Sequence, residues 1–179
     1  ICRAVHPRAR LHFRWWECHG GAVLSCHPRD FSPVGTRGRR AVAALKGEFD
    51  RRNTKVIGLS VDPVESHVKW EGDIKDVTGH AVNFPMIADP DRKVADLYDM
   101  IHPNANDTLT VRSVFIVGPD TKVKLTPTYP ASNGRNPQRL PRVTDCLELK
   151  PSHSVATPTH RDDGDRVRGW TPDPGSWRP

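Results

Sequence analysis

The sequence has no apolar stretch that approaches the roughly 20 residues needed to cross a membrane as a helix. It also opens without the short apolar segment of a secretory signal, so we expect neither a secreted protein nor a membrane partner. Only four cysteines occur, at irregular spacings, and so few in 179 residues do not indicate a disulfide framework. We therefore expect a reducing, cytoplasmic compartment.

A strong excess of one charge is also absent. The net charge is +6, and both signs are distributed along the chain, so the basic excess serves mainly solubility and predicts no nucleic-acid partner. Residues 1–16 hold four Arg and no acid, which weakly resembles a transit peptide; we prefer an irregular chain end. The first residue, Ile1, indicates a fragment of a longer protein.

Apolar patterns predict a single α/β domain. Strands alternate with helices and a hairpin comes late, which predicts a mixed central sheet flanked by helices in three layers, with a thioredoxin-like fold as the natural member of that class. The predicted strands are 11–13, 22–25, 55–61, 84–88, 111–117 and 122–128. The predicted helices are 37–52, 63–76, one after Asp89, and 137–149. Residues 11–149 form the expected domain; residues 1–10 are expected to be irregular.

Helical spacing also predicts which residues face the core. The predicted inward residues are Val42, Leu45 and Phe49, then Val64, Val68 and Ile74, then Val94, Leu97, Tyr98 and Ile101. Asp62 and Asp89 are predicted to cap the second and third helices. Pro141 falls inside the last predicted helix, where it would cost around 3 kcal/mol. Residues 150–179, rich in Pro, Gly and charge, are expected to be a loosely attached tail.

Residues 25–36 read Ser-Cys-His-Pro-Arg-Asp-Phe-Ser-Pro-Val-Gly-Thr and connect a buried strand to a helix. A helix N-terminus collects unpaired backbone N–H groups and the positive end of the helix dipole. A thiol placed there would have a lowered pKa and would be nucleophilic. The position that such a thiol would occupy is Gly35, so the setting of a reactive site is predicted without its reactive atom.

This segment closely resembles the active-site segment of the one-cysteine peroxiredoxins, which read Ser-His-Pro-Arg-Asp-Phe-Thr-Pro-Val-Cys-Thr there. The resemblance continues in order through Asn-Phe-Pro-Met-Ile-Ala-Asp at 83–89, His-Pro at 102–103, Val-Arg-Ser-Val-Phe at 111–115 and Tyr-Pro-Ala-Ser-Asn-Gly-Arg-Asn at 129–136. It ends near Val-Ala-Thr-Pro at 155–158 and so covers roughly residues 11–160.

The resemblance implies a thioredoxin-like homodimer that reduces hydrogen peroxide and organic hydroperoxides without a metal or other cofactor. In that family a cysteine thiolate becomes a sulfenic acid, and an external thiol such as glutathione or thioredoxin restores it. The resemblance assigns shielding of the pocket to Pro28, orientation of the peroxide to Ser32, and stabilisation of the thiolate to Arg112. It places His27 and Val34 near the site and Gly35 at the peroxidatic cysteine.

Because glycine has no nucleophile, we expect the chain to lack the family's peroxidase activity. A second departure lies at residues 36–40, where Thr-Arg-Gly-Arg-Arg replaces the family's Thr-Thr-Glu-Leu-Gly and would put cations at the start of the helix. Alternative hypotheses are a non-enzymatic, dimerising interaction protein, or the product of a degraded gene.

Other cysteines offer two further hypotheses. Cys26 is a candidate substitute thiol, although its position in a strand favours a small buried residue. Cys146 is interpreted as a packing residue on the last helix. Cys18-His19 and Cys26-His27 could together supply zinc ligands, but their spacing matches no compact zinc motif, so no metal site is predicted.

Overall fold

The structure is a computed structural model in which residues 3–4, 20–79, 81–102 and 109–153 are described, with side chains for 20–79, 81–102 and 109–147. The strands are β1 Arg3–Ala4, β2 Ala22–Cys26, β3 Lys55–Ser60, β4 Met86–Ala88, β5 Arg112–Val117, β6 Val123–Leu125 and β7 Thr128–Tyr129. The helices are α1 Pro33–Ala44, α2 Lys46–Arg51, α3 Val64–Thr78, α4 Lys93–Leu97 and α5 Arg139–His153. No helix among these residues is both long and apolar enough to span a membrane.

The strands form one mixed sheet in the order β1-β4-β3-β2-β5-β6, with β7 also paired to β5. β2, β3 and β4 run parallel, whereas β1, β5 and β6 run antiparallel to their neighbours. Leu24 at the centre of β2 lies between Ile57 and Phe115. This sheet, with helices packed on both faces, confirms the predicted α/β, thioredoxin-like architecture.

Alternation along the strands divides the core between the two faces of the sheet. On one face, Leu24, Ile57, Leu59 and Phe115 pack with Ala95 of α4 and with Met100. On the other face, residues of β2 and β5 pack with α1, α2 and α5; these are Val23, Val114 and Ile116 with Val42, Phe49 and, partly buried, Leu140. Helix α3 joins this second side through Trp70 and Ile74, which contact Met86.

The start of the first long helix differs from the prediction. The segment predicted as one helix over 37–52 is two helices, and α1 begins at Pro33 because Ser32 caps it. Leu45 interrupts the helical path between α1 and α2 with φ −90° and ψ 8°. The predicted inward face is nevertheless right, since Val42 and Phe49 are buried and Leu45 packs against them.

Two apolar residues predicted to face the core are exposed. Val68 is 53% exposed and Leu97 78% exposed, whereas His67 and Trp70 of α3 are buried. Asp62 does not cap α3, because Pro63 is the capping residue and makes no side-chain bond. Arg92, not Asp89, is the N-cap residue of α4, but Asp89 Oδ2 accepts hydrogen bonds from the N–H groups of Val94 and Ala95 at 2.9 and 2.8 Å, so the Asp89 side chain caps the first turn from outside the N-cap position.

Pro141 is accommodated without the predicted penalty. Helix α5 begins at Arg139 rather than at 137, so Pro141 lies in its first turn, where backbone N–H groups have no intrahelical acceptor.

The strand predicted over 122–128 is two short strands, β6 and β7, on either side of Pro127. Residues 1–10 are not wholly irregular, because Arg3–Ala4 pairs with β4. The predicted strand 11–13 and the tail beyond 153 lie outside the described residues.

Candidate active site at the start of helix α1

The candidate site is built where the chain leaves the sheet at the end of β2 and enters α1. Ser32 adopts an extended conformation, Pro33 occupies the first turn, and the Ser32 hydroxyl accepts a hydrogen bond from the N–H of Gly35 at 3.1 Å. The same hydroxyl donates to the carbonyl of Arg29 at 3.1 Å. Gly35 is therefore fixed in the first turn of the helix, as predicted from the sequence, and is buried.

The space around Gly35 is narrow. A Cβ atom placed on Gly35 would lie 2.5 Å from the Ser32 hydroxyl and 3.2 Å from the Trp70 ring. Trp70 is itself held by a hydrogen bond from its Nε1 to the Thr36 hydroxyl at 3.2 Å. A side chain at position 35 thus requires the Ser32 hydroxyl to rotate away, and this rotation would break the cap of α1.

A cavity of about 390 Å³ lies beside Gly35. Its lining includes the predicted site residues His27, Val34, Gly35 and Arg112, but not Pro28 or Ser32, although Pro28 is buried close by in sequence. Four arginines line it and no Asp or Glu does, among the residues that the structure describes; they are Arg37, Arg39, Arg112 and Arg135.

His27 marks one wall of this cavity and belongs to a buried hydrogen-bonded cluster behind it. A guanidinium nitrogen of Arg39 contacts the Nδ1 of His27, and because a guanidinium only donates, Nδ1 accepts. Nε2 therefore carries the proton and donates to Asp30 Oδ1 at 2.7 Å. The other oxygen of Asp30 accepts from His67 Nδ1 at 2.6 Å and from the Ser66 hydroxyl at 2.8 Å.

This cluster sets the charges of its members. Burial lowers the pKa of His27 to about 3, with the Arg39 cation adding to the effect, so His27 is neutral at pH 7. Burial alone would raise the pKa of Asp30, but hydrogen bonds from His27 and His67 outweigh it and hold that pKa below its usual range. Asp30 is consequently an ionised carboxylate, and it accepts hydrogen bonds from His27, His67 and Ser66.

The ligand atoms of His27, Asp30 and His67 lie within 4.8 Å of one another, which raises the question of a metal. The two His–Asp contacts of 2.6 and 2.7 Å are hydrogen-bond distances. Two ligands on one zinc, each about 2.0–2.1 Å from it at a tetrahedral angle, would be separated by roughly 3.3 Å. The arrangement therefore fits a proton-linked cluster better than a metal centre.

Arg39 is the residue that sequence reasoning missed. The sequence predicts Arg39 to be one of several cations at the start of a helix, but α1 begins four residues before the predicted start and Arg39 faces the interior, 2% exposed. One guanidinium nitrogen donates to the carbonyl of Ser25 at 3.2 Å, and the group lies 5.6 Å over the ring of Phe84. The sequence feature that identifies it is its spacing: Gly35, Arg39 and Val42 lie at i, i+4 and i+7 and therefore share one face of a helix.

The contacts to Ser25 and His27 are both made by Nη2 of Arg39. Nη1 of the same guanidinium is buried and has no hydrogen-bond partner among the residues that the structure describes. It packs over Gly58, where a Cβ atom would come within 2.6 Å of it. Burial, followed by repulsion from Arg135, lowers the pKa of Arg39 to about 9, so the group remains a cation at pH 7. The interior of the protein thus holds a charge with incomplete compensation.

Arg112 and Arg135 complete the basic side of the cavity. Arg112 is 4% exposed and donates through Nε to the carbonyl of Ala131 at 2.8 Å. Arg135 donates to the carbonyl of Ser113 at 2.9 Å. Burial lowers the pKa of both groups, that of Arg135 to about 10. The sequence pattern does not predict Arg135 as a site residue; its place in the cavity depends on the tertiary structure.

Cys26 does not reach the cavity wall, and its thiol is occupied within the sheet. It donates to the carbonyl of Val111 at 2.8 Å and accepts from the N–H of Ser113 at 3.1 Å. Burial raises the pKa of the Cys26 thiol, which opposes formation of a thiolate. These contacts agree with the interpretation of Cys26 as a small buried residue. Cys146 is partly exposed on α5, and the proposed zinc ligands Cys18 and His19 lie outside the described residues.

Comparison with known proteins agrees with this geometry. The AhpC/TSA family matches residues 14–126. The chain is 49% identical over 139 residues to the 1-Cys peroxiredoxin of Dictyostelium discoideum, covering 78% of this chain and 58% of that protein. It is 42% identical over 168 residues to 1-Cys peroxiredoxin B of Oryza sativa subsp. indica, covering 91% and 76%. This chain belongs to the peroxiredoxin family. The predicted family is thereby confirmed.

Solved peroxiredoxin structures share the fold. A mutant of peroxiredoxin 6 from Arenicola marina superposes with a TM-score of 0.79 at 41% identity, covering 87% of this chain and 73% of that one. The yeast mitochondrial 1-Cys peroxiredoxin superposes with a TM-score of 0.76 at 44% identity, covering 84% and 75%. The chain spans 58% of the length of the Dictyostelium relative and of the mitochondrial peroxiredoxin PRX1 of Saccharomyces cerevisiae.

Proposed function

We propose that this chain is a one-cysteine peroxiredoxin by descent, of the kind that reduces hydrogen peroxide and organic hydroperoxides with thiols, and that Gly35 stands in place of its peroxidatic cysteine. The observation that carries the proposal is the position of Gly35: it is buried in the first turn of α1, beside a cavity that also includes His27 and Arg112. The chain as it stands therefore lacks the nucleophile of that reaction.

The family reaction explains what the missing sulfur would do. A thiolate attacks one oxygen of the peroxide, the O–O bond breaks, and the departing oxygen takes a proton and leaves as water or an alcohol. The sulfur becomes a sulfenic acid, which two reducing thiols return to the thiol with formation of a disulfide and water. Arg112 is suited to hold the thiolate and the peroxide oxygens, and Ser32 is suited to orient the peroxide once its hydroxyl leaves the cap.

Cys26 is a poor substitute for the missing nucleophile. Its sulfur is hydrogen-bonded inside the sheet, and burial raises its pKa, so a thiolate is disfavoured. A sulfur in α1 would instead meet the helix dipole and the Arg112 cation, both of which favour a thiolate. These differences support loss of activity over transfer of the activity to Cys26.

The decisive experiment compares the unmodified chain with Gly35→Cys in a peroxide-consumption assay containing glutathione or thioredoxin. We expect the unmodified chain to consume no more peroxide than buffer, and Gly35→Cys to show measurable turnover. Gly35→Ser is the matched control, because it adds a side chain of similar size without a thiol. Robust turnover by the unmodified chain would overturn the proposal, and persistence of that turnover after Cys26→Ser would also exclude Cys26 as its source.

The reductant and compartment follow the same line of inference. The structure of the yeast relative concerns thiol resolution through glutathione and thioredoxin systems, and we propose the same classes of thiol for a restored site. We retain the cytoplasm as the proposed compartment, with mitochondria as the alternative because one relative is a mitochondrial peroxiredoxin. Fractionation of cells that express the full-length protein distinguishes the two.

A second candidate function is a non-enzymatic protein that associates with another copy of itself. Strand β6 forms the end of the described sheet, and its Val123 and Leu125 are 47% and 41% exposed on one face. An exposed apolar edge strand is a surface on which a second chain can add. Light scattering of the unmodified chain and of Val123→Lys/Leu125→Lys tests this: a dimer that the double substitution dissociates supports it, and a monomer counts against it.

A further inference from the structure

We propose that the arginine-lined cavity beside Gly35 is a binding site for a phosphate group, either as inorganic phosphate or as the ester of a small alcohol. This goes beyond peroxide reduction, because it needs no thiol and adds Arg37, Arg39 and Arg135, which have no part in the peroxidase chemistry, to Arg112, which takes part in it. It rests on the charge, burial and shape of the cavity in this chain.

The first support is uncompensated charge. Arg37, Arg39, Arg112 and Arg135 all line the cavity, and no Asp or Glu is part of the lining within the described residues. Asp30, the buried carboxylate behind His27, is already committed to His27, His67 and Ser66. Arg39 and Arg112 are 2% and 4% exposed, Arg135 is half-buried, and Arg37 is exposed at the rim. Because a buried charge without a counter-charge is unfavourable, the buried guanidinium groups favour occupation of the cavity by an anion.

The second support is the incomplete hydrogen bonding of Arg39. Within the part of the chain that the structure describes, its Nη1 is buried without an acceptor, whereas buried polar groups in folded proteins are nearly always paired. The anion that the cavity favours would compensate the charge of this guanidinium and offer several acceptors to the neighbouring arginines.

The third support is the match between the cavity and a phosphate group. Guanidinium groups bind phosphate oxygens in pairs, and the N-terminal end of a helix attracts anions through its dipole. Val34 and Gly35 of the twelve-residue helix α1 contribute that end of the helix to the lining. The volume of about 390 Å³ leaves room for a small alcohol beyond the phosphate.

Isothermal titration of the full chain with sodium phosphate, against sodium chloride at equal ionic strength, tests the proposal. We expect saturable heat with phosphate and none with chloride. Arg39→Leu removes one guanidinium of the site and is expected to weaken phosphate binding about tenfold or more, as expected for loss of a charged partner. Arg40→Leu is the matched control: it changes the same charge on the same helix, but Arg40 is exposed and does not line the cavity.

If Arg39→Leu fails to fold by circular dichroism, Arg135→Gln replaces it with the same expectation. Titration with glycerol phosphate separates the two sources, since tighter binding than inorganic phosphate identifies an ester and weaker binding identifies the free anion. Equal heats with phosphate and chloride, or equal weakening by Arg39→Leu and Arg40→Leu, would overturn the proposal. Turnover by Gly35→Cys is independent of these measurements, so this inference and the proposed function can fail separately.

Discussion

Two buried polar regions meet at His27 and differ in how their charges are balanced. On one side, Asp30 accepts hydrogen bonds from His27, His67 and Ser66, and its backbone N–H donates to Asp62 at 2.9 Å. On the other side, Arg39 and its neighbouring arginines line a cavity to which no described Asp or Glu contributes, and no acceptor for Arg39 Nη1 is found among the described residues. The described residues thus satisfy the hydrogen bonds and the charge of the first region, but not those of the second.

The difference separates a structural role from a binding role. A buried carboxylate whose oxygens already accept hydrogen bonds rigidifies the turn between β2 and α1 and is not available to bind a ligand. A buried cation with missing partners stores unfavourable electrostatic energy that a bound anion can relieve. His27 joins the two regions, because it donates to Asp30 with one nitrogen and accepts from Arg39 with the other.

The largest expected effect comes from breaking the balanced region. Asp30→Asn removes the only carboxylate described between His27, His67 and Arg39 and leaves buried donors without their charged acceptor. We expect the free energy of unfolding to fall by about 3–5 kcal/mol, because hydrogen bonds to a charged group contribute about 1.5–3 kcal/mol each and three side-chain donors lose their charged acceptor. Urea unfolding measures the change.

Asp91→Asn serves as its control, because Asp91 forms only an exposed ion pair with Lys93. A loss at Asp30 no larger than at Asp91 would show that the buried cluster does not stabilise the fold.

A smaller effect should appear in the pH dependence of stability. The folded-state pKa of His27 is lowered to about 3, so between pH 6.5 and 3 the unfolded chain binds a proton that the folded chain does not. Stability should therefore fall on acidification below about pH 6.5, by at most about 1.4 kcal/mol per pH unit from this group. Asp30 affects stability at a lower pH than His27 does. Its pKa is depressed in the folded state, so the stability that it contributes is lost only as the pH falls below about 4.

Urea unfolding of the unmodified chain and of His27→Gln at pH 7, 6 and 5 isolates the His27 contribution. The variant should be less stable at pH 7 and should lose less stability between pH 7 and 5. Parallel curves for the two proteins would contradict a neutral, buried His27.

The smallest effect concerns the packing of Arg39 over β3. A Cβ atom on Gly58 would lie 2.6 Å from Arg39 Nη1 and 3.0 Å from Met86 Cγ. Gly58→Ala should destabilise the protein by about 1–2 kcal/mol through overpacking, and by less in an Arg39→Leu background. Thermal unfolding of the four proteins measures the coupling.

Gly38→Ala is the control and should change stability in the opposite direction, since a Cβ atom there meets nothing within 4 Å. It should stabilise α1 by about 0.5–1 kcal/mol. Equal losses from Gly58→Ala in both backgrounds would mean that Arg39 does not pack over Gly58.

Local patterns in the sequence predicted most of the fold. The order of strands and helices, the buried strand β3 and the capping by Asp89 all depend on residues close together in the chain, and each was found. The wrong predictions also come from local patterns, which do not show how neighbouring elements pack. Val68 and Leu97 are apolar residues at helical spacing, but they are exposed because no described element packs against them. The penalty predicted for Pro141 failed because the helix boundary lay two residues later than its apolar pattern indicated.

What the sequence by itself determined is the covalent fact at position 35: glycine carries no nucleophile in any fold. It also determined the order of elements and the resemblance that led to the family. Only the tertiary structure decided which polar residues are buried, because Arg39 is covered by β3 and Phe84, and Asp30 is enclosed by His67 from α3. These contacts join residues 19 to 45 positions apart in the sequence, so no local pattern contains them.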